Sequence, residues 1–474
     1  MKNTKYLVIG GGPIGLYTAY KILTTNSNLI SHTNHVTLFE KRPCYTRNNI
    51  IRIDNNDIKS FDLFPDVLIQ KLLQRSTFDV FANVNTTNKP CIIPQYPFDV
   101  VISEFESSMS EIISSIPSSY LDIIKPLNES SIVLKDHVLY WDNSSLKILD
   151  YDYVLVCDGV NGQVKRAYFT TDVNDRSNEF YFGRCKSSGT ITSSTTKANI
   201  HPICYGLTLS INLPHESYKQ CHPRLLANTV EYLDSDCKIG NMQYQSHHVS
   251  SVKQKLFRLF MSKDRIFITL MIDNNIKPLS CSCVDWCKLP CYIKTQVQFI
   301  LHYYGFGLQV ISSLNRSGAV GSIAVFPLYY SQINQSCKVI ESTVLVVLGD
   351  ALVSGNFHTG TGFNKNLVIA DKAVQLINRY NNANAVLSQS INKLLLYINY
   401  KSHKLASQVI QESIAASLDF DAVANKSNQQ LYQNYTKILH KFMSYGCYDE
   451  FYQFVMNNST IEFCRFLWLF NHGK

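Results

Sequence analysis

The sequence predicts an α/β chain: a Rossmann-like domain, an interleaved domain with a mixed β-sheet, and a helical C-terminal region. Three observations predict it. A short apolar run at 5–9 leads into a glycine turn and a helical pattern. Two later apolar runs, at 153–156 and 344–348, each end in an acidic turn. After about residue 385 the apolar spacing changes from alternation to a helical period.

The first element is Tyr6-Leu7-Val8-Ile9, a strand that runs directly into Gly10-Gly11-Gly12-Pro13-Ile14-Gly15, followed by a helix whose buried side is Leu16, Ala19 and Ile22. Strand, glycine turn and helix in this order make a Rossmann-like nucleotide cradle. Gly10 permits the tight turn, Gly12 lets the backbone approach a pyrophosphate, and Gly15 lets the helix pack closely on the strand. Pro13 and Ile14 open the helix whose N-terminal amides would receive the anion. The second element is the strand His35-Val36-Thr37-Leu38-Phe39, ending in Glu40, 25 residues after Gly15. An acid there accepts hydrogen bonds from ribose hydroxyls.

A hairpin-like region from 131 to 149 leads to Tyr153-Val154-Leu155-Val156 and the turn Cys157-Asp158-Gly159. Val344-Leu345-Val346-Val347-Leu348 then leads to Gly349-Asp350-Ala351, followed by Gly360-Thr361-Gly362-Phe363-Asn364 and a helix through about residue 380. Taken in this order, the set resembles the class A FAD-dependent monooxygenases, which share the p-hydroxybenzoate hydroxylase fold. The resemblance implies that Gly10, Gly12, Gly15 and Glu40 bind the ADP half of FAD. It also implies that Asp158 and Gly159 serve both FAD and NADPH or NADH, that Asp350 holds the ribityl chain, and that Asn364 lies beside the flavin ring. A helix beginning near Gly362 would aim its positive end where negative charge collects on the reduced ring.

The stretch Phe39-Glu40-Lys41-Arg42-Pro43-Cys44-Tyr45-Thr46-Arg47-Asn48-Asn49 is similar to the MICAL-type monooxygenase domain, as is Gly360-Thr361-Gly362. Lys41, Arg42, Arg47 and Asn49 thereby join the cofactor-binding candidates, with Gly360, Gly362 and Phe363. Nothing in the sequence reads as the actin-binding or LIM modules of MICAL proteins, so a shared actin substrate is not implied. Two features depart from the class: the loop 352–359 lacks the usual proline, and Ser103-Glu104-Phe105-Glu106 stands where a basic or amide residue is usual. His358 lies in that loop and is the catalytic candidate, since an imidazole there can donate a hydrogen bond or proton.

The activity implied is NAD(P)H-dependent oxygenation through a flavin C4a-hydroperoxide, on a small molecule or a protein side chain. A flavin oxidase or reductase, and a non-catalytic FAD-binding interaction module, are the alternatives. The flavin carries the chemistry, so no side-chain nucleophile is required.

Composition excludes other classes. A net charge of +8, from 44 Lys and Arg against 36 Asp and Glu, is spread along the chain, and without a clustered basic patch nucleic acid is not expected as a partner. No apolar stretch approaches the roughly 20 residues needed to span a bilayer, and the N-terminus reads as a strand, so a cytoplasmic protein is expected. Fourteen scattered cysteines fit reduced thiols. Cys281, Cys283, Cys287 and Cys291 cluster, but their spacing is not that of a paired zinc motif, and no metal is expected. The apolar tail 463–470 is expected to dock on its own domain, membrane contact being the alternative.

The expected boundaries are 1–58, 100–165 and 320–384 for the FAD-binding domain, 59–99 and 166–319 for the substrate domain, and 385–474 for the helical region. Runs 205–211 and 265–271 read as strands of the substrate domain. Leu394, Leu395 and Ile398 share one helical face, as do Tyr435, Ile438, Leu439 and Phe442.

Overall fold

The computed structural model describes residues 2–24, 32–47, 50–53, 64–75, 98–117, 119–128, 131–171, 177–188, 190–212, 230–233, 255–261, 265–272, 286–289, 293–294, 297, 301, 314, 318–356, 361–384 and 391–418. The chain divides into two compact units, Met1–His201 with Tyr329–Ile414, and Pro202–Leu328 with Ala415–Lys474. Six helices are named among the described residues: α1 (Pro13–Thr24), α2 (Asp66–Arg75), α3 (Ile102–Ser114), α4 (Gln163–Phe169), α5 (Thr361–Asn384) and α6 (Ile391–Leu418). None of them is long and apolar enough to cross a membrane.

The first unit is built on a six-stranded sheet in the order Cys337–Ile340, Thr343–Val347, Tyr153–Val156, Lys2–Ile9, His32–Phe39, Leu121–Ile124. Its pairings are parallel except at the first edge, where Cys337–Ile340 runs antiparallel to Thr343–Val347. The central strands are near-continuous apolar runs because both faces are covered: Leu7, Val8, Val154, Leu155, Val156 and Val346 are fully buried. Helix α1 returns the chain from the first strand to the second and packs against α3 and α5. Asp371 of α5 joins the helices electrostatically, accepting from Lys21 Nζ at 3.0 Å and Gln375 Nε2 at 2.6 Å.

The segment 131–149 forms a three-stranded meander, Val133–Lys135, Val138–Trp141 and Ser144–Lys147. Both of its turns have two consecutive residues at positive φ, Asp136 and His137, then Asp142 and Asn143. Such turns match the right-handed twist of the strands they join, and Asn and Asp tolerate them best. A second sheet of this unit places Glu179–Cys185 between Ile191–Ser194 and Tyr330–Ile333.

The second unit holds an antiparallel sheet in the order Val230–Leu233, Lys255–Met261, Arg265–Ile272, Cys204–Asn212, Val320–Leu328. Both strands expected here are present, paired along their length with Leu207 opposite Leu270 and Leu209 opposite Ile268.

The units do not follow the boundaries expected from sequence. Residues 166–201 belong with the first unit, because Glu179–Cys185 pairs with Tyr330–Ile333. Strand Val320–Leu328 belongs with the second, paired to Cys204–Asn212. Residues 391–414 of α6 also join the first unit. There Asn399 Oδ1 accepts from the Ser336 and Cys337 amides at 2.7 and 2.9 Å, and Leu394 and Ile398 are buried while Leu395 is half-buried. The helical face 435–442, the tail 463–470, Cys281, Cys283 and Cys291 lie outside the described residues.

Candidate functional site

In the six-stranded sheet the chain passes from Lys2–Ile9 to one neighbour, His32–Phe39, and later returns to the other, Tyr153–Val156. A crevice opens at such a switch point, beyond the carboxyl ends of the strands. Three chain ends meet there: the Gly10 amide donates to Phe39 O and the Cys157 amide to Ile9 O, each at 2.7 Å. Gly10 has φ +101°, and a Cβ on it would lie 2.4 Å from the Cys157 carbonyl oxygen. Gly15 meets the same turn from the helix side, where a Cβ would lie 1.8 Å from the Gly10 carbonyl oxygen. Both glycines are therefore required by close backbone approach.

A cavity of about 490 Å³ occupies this crevice. It is bounded by the Gly10–Gly12 turn, Glu40 to Arg42, Arg47, Leu139 of the meander, Asp158 to Gly162, and Arg166. Eleven of the sequence-predicted residues belong to this neighbourhood: Gly10, Gly12, Pro13, Ile14, Gly15, Glu40, Lys41, Arg42, Arg47, Asp158 and Gly159. Its donors are mostly cationic, which suits a phosphorylated ligand.

Glu40 is buried, and Arg42 forks onto it. The Arg42 backbone amide and Nε both reach Oε1, at 2.8 and 2.9 Å, and Nη2 reaches Oε2 at 2.9 Å. Burial alone would raise this carboxyl, but the Arg42 contacts and the Gly11 amide together hold it below the ordinary carboxylate range. A carboxylate offers about four acceptor directions. All are engaged, so a further donor could reach Glu40 only by replacing or sharing one of these.

Asp158 Oδ2 accepts from the amides of Val164 and Lys165, at 2.9 and 3.2 Å, and so caps α4. Burial pushes its carboxyl up to about 6, against the helix amides and the Lys165 charge. Oδ1 is buried and has no hydrogen-bond partner among the described residues. An orphaned acceptor on a cavity wall fits a ligand that brings a donor.

The raised Asp158 carboxyl makes a pH prediction. Its folded pKa of about 6 lies above the unfolded value of about 3.9, so the native state holds more protons between them. Its contribution to stability is full below about pH 4 and falls as pH rises through about 6. Asp158→Asn keeps the helix cap and removes the titration. Urea midpoints at pH 4.5 and 7 should show the variant gaining on the wild type at the higher pH; an unchanged difference would contradict this assignment.

Behind Asp158 lies a buried ion pair that sequence reasoning missed. Lys165 Nζ donates to Glu179 at 2.5 Å and to the Val160 carbonyl at 2.9 Å, with side chains 1% and 5% exposed. A lysine two residues into a short amphipathic helix gave no signal of this. Glu106 was also missed as a partner, although an acid in the stripe Phe105, Met109, Ile113 was the visible clue. It pairs with Arg42 and Arg47.

Asp350 lies in the turn between Thr343–Val347 and α5, with Arg47 and Lys165 acting on its charge. Its residue is exposed, yet the surrounding protein raises its carboxyl by desolvation while Arg47 and Lys165 oppose. Phe363 packs edge-to-face on Phe105, centroids 5.6 Å apart, and so helps join α5 to α3. Asn364 is buried on the first turn of α5, and Gly362 beside it faces open space. Asn49, His358 and Gly360 lie outside the described residues. Among the described residues no group of three His, Cys, Asp or Glu side chains is placed to hold a metal ion.

No protein-family model matches the chain, and no curated protein matches it. Solved structures do. The tetrameric form of 2-methyl-3-hydroxypyridine-5-carboxylic acid oxygenase matches with TM-score 0.52 at 12% identity, over 90% of this chain and 92% of that one. CtdE, in complex with FAD and a substrate, matches with TM-score 0.51 at 13% identity, over 86% and 88%. P. aeruginosa PqsL in complex with 2-aminobenzoylacetate matches with TM-score 0.50 at 11% identity, over 88% and 96%. At these identities the likeness shows a shared fold, the mixed α/β architecture expected from the sequence.

Proposed function

We propose that this chain is a flavoprotein that binds FAD without a covalent bond and uses NADPH or NADH to oxygenate a substrate. The observation that carries the proposal is the cavity at the switch point, where a glycine turn, three arginines and an orphaned Asp158 oxygen converge. These residues fit the adenosine and pyrophosphate half of FAD. Proteins of the same fold include one in complex with FAD and one named as an oxygenase, which supports the same reading.

In this reading Gly10 to Gly15 receive the pyrophosphate on the N-terminus of α1, and Glu40 and Arg42 face the adenosine. Asp350 orients the ribityl chain. The N-terminal turn of α5 carries the partial positive charge of a 24-residue helix, suited to stabilise negative charge on a reduced ring. When bound, FAD supplies the electron transfer and oxygen activation; the chain supplies binding, orientation and exclusion of water.

The purified protein is expected to be yellow, and heat should release FAD identifiable by chromatography. Apo-protein that refuses added FAD would overturn the proposal, and FMN alone would remove the adenosine role of Glu40. Asp350→Ala removes a charged acceptor worth about 1.5 to 3 kcal/mol, so FAD affinity should fall roughly ten- to hundred-fold with the fold intact. Oxygen-18 incorporation into product during NADPH consumption distinguishes an oxygenase from an oxidase or a reductase.

A further inference from the structure

Glu106 is the one charged residue on the buried face of α3: it is fully buried, as are Phe105, Ser108, Met109 and Ile113. A carboxylate kept out of water there needs cationic partners. Arg42 Nη2 reaches it at 3.2 Å, and Arg47 Nη2 is closer still. Arg42 is at the same time forked onto Glu40. The two glutamates and two arginines together carry no net charge.

The position of Arg47 gives this cluster its consequence. A Cβ added at Gly12 would lie 3.3 Å from Arg47 Nη2 and 3.8 Å from Glu106 Oε1. Gly12 is the residue whose bare backbone would face a phosphate. A guanidinium that suits the anion and a carboxylate that opposes it therefore overlook the same surface.

We propose that Glu106 is an internal competitor for Arg47, an affinity-setting residue that holds the guanidinium away from an incoming pyrophosphate and weakens dinucleotide binding at the glycine turn. The inference rests on the FAD reading above, and its test needs no turnover. A pyrophosphate entering over Gly12 meets Arg47 with an N–H already committed, and meets the Glu106 charge at short range. Glu106→Gln relieves both and leaves the cluster with one net positive charge. The amide oxygen can still accept from Arg47, so the geometry of α3 is kept.

The test is calorimetric titration of wild type, Glu106→Gln, Arg47→Gln and the double variant with FAD, ADP and adenosine, circular dichroism confirming the fold. Glu106→Gln should bind FAD and ADP about ten-fold more tightly and adenosine unchanged, since adenosine carries no phosphate. Arg47→Gln should lose no more than about three-fold in the wild-type background and about ten-fold beside Glu106→Gln. Unchanged or weaker ADP binding in folded Glu106→Gln overturns the inference, and so does an equal gain for adenosine, which would mark general loosening. If Glu106→Gln does not fold, Arg47→Gln alone decides: a loss of ten-fold or more would show that Arg47 already serves the phosphate. Failure of every form to bind FAD or ADP would instead remove the FAD reading itself.

Discussion

Replacing Gly15 by alanine is expected to abolish most of the soluble, folded protein. The added Cβ would lie 1.8 Å from the Gly10 carbonyl oxygen and 3.3 Å from Cys157 Cβ. The first clash is with backbone, at the end of the central strand of the six-stranded sheet, where Gly10 and Cys157 are tied to neighbouring strands by 2.7 Å hydrogen bonds. Relief therefore means separating α1 from the sheet. Overpacking of an adaptable core costs about 1 to 3 kcal/mol, and a clash between fixed backbones belongs above that, about 4 kcal/mol or more. Total stabilities are about 5 to 15 kcal/mol. Gly362→Ala is the control, because its Cβ would face open space and alanine favours a helix. Thermal melts and soluble yield should separate the two variants sharply. A Gly15→Ala protein melting with the wild type would mean that the turn is not built as described.

The second large effect concerns the buried pair Lys165–Glu179. Lys165→Ala should destabilise the protein by about 3 to 5 kcal/mol, since it leaves Glu179 buried and unpaired. It also removes a donor from the Val160 carbonyl and a positive charge that holds down both Asp158 and Asp350. Replacing both members, Lys165→Met with Glu179→Leu, should recover most of the loss, because the desolvation of both charges disappears with them. A double-mutant cycle from urea denaturation measures the coupling, expected at about 2 kcal/mol or more. Additive losses would show that the two side chains do not act as a pair.

Much of the fold was legible along the chain. The spacing of Gly10, Gly12 and Gly15, with a strand before and a helix after, is a local pattern, and the structure forms that turn. The apolar runs at 153–156 and 344–348 are legible for the same reason, since strands covered on both faces need apolar residues throughout. The stretch 131–149 was readable as hairpin-like, and the structure makes it a three-stranded meander whose turns have Asp136, His137, Asp142 and Asn143 at positive φ.

Other features were settled by residues far apart in sequence. Residues 179–185 joined the first unit because their ladder partner is 330–333, about 150 positions later, and no local pattern announces such a pairing. Asp158 was readable as an acidic turn, but its role as the cap of α4 depends on the path of the chain through Gly162. Phe363 was readable as part of the second glycine motif, and only the fold brings its ring onto Phe105, far earlier in the chain.

What the sequence by itself determined, then, is the set of elements and the glycine turn, because steric limits and burial period act over a few neighbouring residues. Only the tertiary structure decided which arginine meets which carboxylate, which strands lie side by side, and that Glu106 shares the surface over Gly12 with Arg47. Those outcomes are chosen by burial: a charge taken out of water must find its partner wherever the packed chain brings one.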